Sequence, residues 1–189
     1  MILDQPSEQE LQNCVHRAQN GDTSAFEQLY KAFFAQVYRY TVFRLPQDVA
    51  EDTVADIFVK VWEKLHTYSF KKNIPFSAWL FRIARHAIID VYRARRGFEE
   101  LPETLIDPDT LNTPQGYFAE RETFYLVRRA LDKLPYRYRE VLILSFIADL
   151  SHKEVAKVLR ITEGGVRVLK LRALRKLEQH LSPELSQIS

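Results

Sequence analysis

Near the C-terminus, Arg167, Lys170, Arg172, Arg175 and Lys176 place five cations within ten residues, faced by the single acid Glu163. Cations at this density bind phosphate, and those on the first turns of a helix can also hydrogen-bond base edges in the major groove. A second set interleaves Phe76, Trp79, Phe81 and Tyr92 with Arg82, Arg85, His86, Arg93, Arg95 and Arg96. Unpaired bases stack on rings while arginines track phosphates, which is the chemistry single-stranded nucleic acid requires. A core helix with snorkelling arginines fits the same letters. The third set is acidic: Asp48, Glu51, Asp52, Asp56 and Glu63 stand against only Lys60 and Lys64, edged by Phe58, Val59 and Trp62. Such a face suits docking onto a basic protein surface; a solvated acidic face with Trp62 in the core fits equally. Asp52 and Asp56 could in principle hold a metal for nuclease chemistry. That reading is set aside, since no histidine or further acid converges on them and no glycine-rich phosphate loop is present.

Each set needs an element to position it. Leu150 to Leu177 reads as two helices joined by a short turn. Ser151 and Glu154 have capping-box spacing, Val155, Val158 and Leu159 recur at helical intervals, and the small Ala156 permits close approach. Ile161 lies in the turn, Thr162 is a second N-cap, and Val166, Leu169 and Ala173 form an inward stripe. This is helix-turn-helix spacing, with Thr162 to Leu177 as the outward cationic helix. An ordinary amphipathic hairpin with a solvated basic face fits it too. Arg160 occupies the turn position where glycine tolerates positive φ, so the turn is either strained or uses other dihedrals.

The acidic set lies on a helix from Asp48 to Leu65, with Asp48 and Glu51 again at capping-box spacing. A loop, Tyr68 to Pro75, carries Lys71, Lys72 and Asn73 into a helix from Phe76 to Arg96. There Trp79, Ile83, Ala87 and Val91 form the predicted buried line, with Arg82, Arg85, His86 and Arg93 off it. Upstream, Ser7 and Glu10 cap a short helix ending near Asn20. Asp22 or Thr23 caps a longer one whose core face is Phe26, Leu29, Tyr30, Phe33, Val37 and Tyr40. Gly97 to Gly116 holds three prolines, five acids and no lysine or arginine, the composition of a linker. Beyond it, Tyr117 to Leu134 is helical and Pro135 restarts a helix through Val141, Leu142, Leu144, Phe146 and Ile147.

With 46% apolar and 28% charged residues, and only five glycines among 189, the composition predicts an all-α globular protein. A net charge of +2 leaves the partner question to charge distribution. Cys14 is the only cysteine and the histidines lack ligand spacing, so neither disulfide, metal site nor cofactor is expected. Acids precede any apolar run at the N-terminus, unlike a signal peptide, and no apolar segment approaches membrane-spanning length. These features predict a cytoplasmic protein without membrane insertion.

Four segments in this order carry a resemblance: DVAEDTVADIFVKVWEKL (48–65), PFSAWLFRIARHAIIDVYRARR (75–96), LPYRYREVLIL (134–144) and LSHKEVAKVLRITEGGVRVLKLRALRKL (150–177). Together the chain resembles bacterial RNA polymerase sigma factors of the extracytoplasmic-function group. The resemblance implies two helical domains, 1–97 and 117–189, joined by the linker 98–116, which would run through the polymerase's RNA exit path. Asp48, Asp52, Asp56, Val59 and Trp62 would dock on the clamp helices of core RNA polymerase. Lys71, Lys72, Asn73, Trp79, Arg82, Arg85, His86 and Arg93 would melt the minus-ten element of promoter DNA and hold the non-template strand. Thr162, Glu163, Gly164, Arg167, Lys170, Leu171, Arg172 and Arg175 would read the duplex minus-thirty-five element. It also implies an anti-sigma partner, and a chain without catalytic activity of its own. Departures from the family pattern are His86 in place of a common asparagine, Arg160 in place of the turn glycine, and the order Val168-Leu169-Lys170. The competing function is a helix-turn-helix repressor or activator, which would need neither the acidic nor the aromatic-basic helix.

Overall fold

Eight α-helices and no strand make up residues 7–70, 73–96 and 118–185, the part of the chain that the computed structural model describes. The linker 98–116 and the cations Lys71 and Lys72 lie outside the described residues. The chain divides into two compact units, Met1–Arg95 and Arg96–Ser189.

In the first unit, α1 (Glu8–Gln19) begins with the expected capping box, in which the Glu10 carboxylate accepts from Ser7 N–H at 2.8 Å. Asp22 caps α2 (Thr23–Val42), accepting from the amides of Ser24 and Ala25 and pairing with Arg17 at 2.6 Å. Hydrogen bonds from the Ser24 side chain, then from Arg17, hold its carboxyl down to about 2. The core face of α2 is Leu29, Phe33, Val37 and Tyr40, each at most 6% exposed. Tyr30, expected on that face, is instead 38% exposed. Its ring leans across the surface onto Phe34 and Phe58, at 5.2 and 4.6 Å between centroids.

The next helix, α3 (Gln47–Lys64), corrects another expectation. Its N-cap is Pro46, and no side chain caps it. Pro46 already sets the helical entry, so Asp48 falls inside the first turn, where a carboxylate meets the helix's positive end instead of capping an amide. Ala50, Thr53, Val54, Ile57, Phe58 and Val61 face the core. A single 3₁₀ turn, Leu65–Thr67, follows.

In α4 (Phe76–Arg96) the buried surface is wider than a single line: Phe76, Leu80, Phe81, Ala84, Ala87, Ile88 and Tyr92 are all buried. Trp79 and Val91 are only half-buried. The apolar arc is centred one residue away from the predicted row, because Phe81 meets Tyr40 edge-on at 5.4 Å and Phe76 meets Phe33. The Tyr92 hydroxyl donates to the Arg44 carbonyl and so fixes the far end of α4 against the turn after α2.

The second unit packs α5 (Phe118–Asp132), α6 (Tyr136–Leu142) and α7 (His152–Leu159) against α8 (Glu163–Leu185). Its core is Ala130, Leu131, Leu134, Val141, Leu142, Val155, Val158, Val166 and Ala173. The helix restarts at Pro135 as expected, with Pro135 at the N-cap position of α6 and no side-chain capping bond. Residues Ile143–Ile147 then form a π-helical turn, closed by Ala148 N–H donating to the Ile143 carbonyl at 2.9 Å. The wider turn leaves Phe146 55% exposed, although it lies in an apolar run. Within α6, Arg139 is 1% exposed and pairs with Asp132 of α5 at 3.0 Å.

The turn between α7 and α8 settles the question posed by Arg160, which adopts the left-handed conformation at φ 57, ψ 45. A non-glycine residue there carries a backbone cost of about 1–2 kcal/mol, partly offset because glycine loses more entropy on folding. Arg160→Gly should therefore raise the stability of this unit by up to about 1 kcal/mol, measurable by urea unfolding. An unchanged or lowered midpoint would mean that the arginine side chain compensates.

Candidate nucleic-acid interface

Helix α8 starts where Thr162 predicts: its Oγ1 accepts from Gly165 N–H at 3.0 Å. A Cβ at Gly165 would stand 3.2 Å from that oxygen, so glycine leaves the cap undisturbed. Val166 and Ala173 are fully buried and turn the opposite face outward. That face carries Glu163, Gly164, Arg167, Leu171, Arg172 and Arg175, all exposed. Lys170 is half-buried, because its ammonium lies 5.1 Å from the centre of the Phe146 ring. No sequence pattern announces this pairing, because Phe146 lies in the π-helical turn and an apolar run reads alike in either helical geometry. The helix also runs on to Leu185, well beyond the expected end at Leu177. Residues Glu178 to Leu181 contain no helix breaker.

In the first unit, Asn73 is exposed and left-handed at φ 49, a conformation asparagine tolerates better than most side chains. Its position depends on Tyr68. The Tyr68 hydroxyl donates to the Ile74 carbonyl at 2.9 Å, and its ring packs on Phe76 and Trp79 at 5.3 Å. Burial, with a smaller contribution from Glu8, pushes this phenol up to about 12, so it remains a donor throughout the physiological range. The Tyr68 carbonyl is in turn held by Gln19 of α1, whose amide nitrogen donates to both Leu65 O and Tyr68 O at 2.9 Å. Neither Gln19 nor Tyr68 was among the expected site residues. The partners lie 46 and 49 residues apart in sequence, and no local pattern announces such a bond.

On α4, His86 is exposed and its Nδ1 lies 2.7 Å from the Arg82 carbonyl. A carbonyl only accepts, so Nδ1 carries the proton and Nε2 of the neutral ring is left as an acceptor. Arg82 and Arg85 are half-buried and Arg93 is exposed on the same helix. Trp79, its ring 5.6 Å from Phe76, forms the partly open edge of the aromatic cluster below Asn73.

The acidic residues of α3 do share a face. Asp48, Asp52 and Asp56 follow one another at four-residue spacing, all exposed, and Val59 and Trp62 continue the row. Val59 is 56% and Trp62 39% exposed, the latter leaning edge-on against Phe26 at 4.8 Å. Trp62 is thus a surface residue and not a core one. Among the described residues, no group of three or more histidines, cysteines or carboxylates is placed to hold a metal ion.

Residues 26–98 match the Sigma-70 region 2 family, and residues 125–177 match Sigma-70, region 4. The chain is 33% identical over 180 residues to the RNA polymerase sigma factor CnrH of Cupriavidus metallidurans, covering 89% of this chain and 92% of that one. It is 30% identical over 170 residues to the ECF RNA polymerase sigma factor BldN of Streptomyces coelicolor, covering 88% of this chain and 64% of that one. The solved structure of CnrH in complex with the cytosolic domain of CnrY is similar at a TM-score of 0.71 and 28% identity, covering 92% and 98% of the two chains. A repressor or activator would leave the region 2 match over residues 26–98 without a purpose. The chain belongs to the extracytoplasmic-function (ECF) RNA polymerase sigma factors.

Proposed function

We propose that this sigma factor divides promoter-specific initiation among three faces. The α3 face of Asp48, Asp52, Asp56, Val59 and Trp62 docks on a basic, partly apolar surface of core RNA polymerase. Asn73, Trp79, Arg82, Arg85, His86 and Arg93, with Lys71 and Lys72, hold the melted non-template strand of the minus-ten element. Residues Thr162 to Arg175 of the terminal helix-turn-helix read the duplex minus-thirty-five element, and the segment 98–116 links the two domains. The observation that carries the reading is the outward row on α3, where two large apolar side chains stay exposed beside three carboxylates. Exposed apolar surface ringed by one charge is the makeup of an interface, not of a solvated helix. The polymerase supplies the chemistry, and this chain supplies recognition in the cytoplasm. No described helix is long and apolar enough to cross a membrane. That the similar CnrH was solved with the cytosolic domain of CnrY supports an anti-sigma partner that restrains this chain as well.

Promoter templates with and without a pre-opened bubble over the minus-ten region test this division of labour. Arg167→Ala should weaken recruitment by roughly 1–3 kcal/mol if it makes a bidentate base contact, on both templates. His86→Ala and Asn73→Ala should impair opening of the duplex and be partly rescued by the bubble, which supplies the unstacking energy in advance. Permanganate footprinting of open thymines reports the difference. Identical responses of the two groups would overturn the assignment.

A further inference from the structure

The outer face of α8 is not uniformly cationic. Val168 and Leu171 are each 51% exposed, as open as any large apolar side chain among the described residues of the unit except Phe146. They stand three residues apart, hence side by side on the helix, with Arg167, Arg172 and Arg175 exposed around them. Gly164 lies on the same row, four residues before Val168. A Cβ there would meet nothing within 4 Å, so no contact among the described residues calls for glycine. Glycine is a weaker helix former than alanine, so its place in the first turn of α8 fits a backbone approached closely from outside.

We infer that Val168 and Leu171 read the C5-methyl groups of thymines in the upstream promoter element. The inference rests on the assignment of α8 as the duplex-reading helix. In the major groove the thymine methyl is the only apolar group on a base edge, and an aliphatic side chain meets it without leaving a polar group unpaired. The surrounding arginines match flanking phosphates, whereas an apolar protein patch would be met here by cations on three sides. Gly164 lets the first turn approach the groove floor, which brings Val168 and then Leu171 within reach of successive base pairs. Arginine reads guanine by hydrogen bonds, so the two kinds of side chain divide the element between purine acceptors and thymine methyls.

The test uses holoenzyme formed from the full chain and core polymerase, on a promoter fragment recovered by run-off transcription. Each upstream thymidine is replaced in turn by deoxyuridine, which removes only the methyl. Binding should fall about fourfold at one or two positions, the equivalent of one buried CH₂ group. Val168→Ser and Leu171→Ser should bind the thymidine fragment more weakly and become indifferent to the replacement, while Val168→Ile should keep the discrimination. Both positions are exposed, so thermal unfolding should be unaltered. Equal binding of thymidine and deoxyuridine fragments at every position, with Arg167→Ala still weakening binding, overturns the methyl reading and leaves α8 as the duplex reader. If Arg167→Ala has no effect either, the assignment of α8 itself fails. Weaker association of the serine variants with core polymerase in the absence of DNA would make the patch a protein contact and also overturn the inference.

Discussion

Reversing two charges on α3, Asp52→Lys with Asp56→Lys, should reduce affinity for core RNA polymerase by on the order of a hundredfold or more. The two carboxylates are exposed one helical turn apart, so neither change disturbs the core of the unit. Each reversal turns an attraction toward a basic partner into a repulsion, and like charges forced together at an interface cost several kcal/mol. With 1.4 kcal/mol per factor of ten, two such reversals take a nanomolar complex into the micromolar range or beyond. The loss should appear mostly as slower association at low salt and shrink as ionic strength rises, because exposed charges are screened over about 10 Å at 0.1 M. Binding titrations against core enzyme at two salt concentrations, with circular dichroism to confirm the fold, measure it. Unchanged affinity would mean that the acidic row is merely solvated.

The largest effect on stability is expected at Asp132. Arg139 is 1% exposed and Asp132 19%, and their ion pair at 3.0 Å joins α6 to α5 beneath α8. Asp132→Ala leaves a guanidinium buried without its carboxylate, a change that costs about 3–5 kcal/mol. The unit is small, and proteins of this size have only about 5–15 kcal/mol in total, so much of the folded population is at risk at growth temperature. Removing both charges, Asp132→Ala with Arg139→Leu, should recover most of the loss, because the penalty lies in the unpaired charge and not in the missing bond. The molecule provides its own control. Its two tryptophans, Trp62 and Trp79, are both in the first unit, so fluorescence follows that unit while circular dichroism follows both. The dichroism should show an early transition and the fluorescence none. A fluorescence midpoint that moves as well would show that the units do not unfold separately.

What the sequence conveyed and what it concealed divide along the range of the interactions. The capping boxes at Ser7 and Ser151, and the caps at Asp22 and Thr162, were legible because donor and acceptor lie within three residues. The stripe of Val166 and Ala173 was legible because a helix's inner face repeats. Asp48 and Glu51 show the limit of spacing alone: the letters match a capping box, yet Pro46 occupies the cap. Tyr30 and Trp79 were misplaced because an aromatic ring at the edge of a core satisfies the same period as one inside it. The support of Asn73 was not legible at all. It passes from α1 through Gln19 to Tyr68 and from the Tyr68 hydroxyl to Ile74, and its first step joins parts of the chain far apart in sequence. The π-helical turn was hidden for another reason, since an apolar run such as Ile143–Ile147 reads alike in either helical geometry.

The division into units has a consequence for biosynthesis. Residues Met1–Arg95 form a compact unit of their own, and 94 residues of the sequence follow it. A ribosome adding about 5–20 residues per second spends on the order of 5–20 s on those remaining residues, whereas small helical units fold in microseconds to milliseconds. The acidic face of α3 is therefore complete on the nascent chain for seconds before α8 has been made. On the proposed division of roles, the chain in that interval carries its polymerase-docking face but not yet its duplex-reading helix.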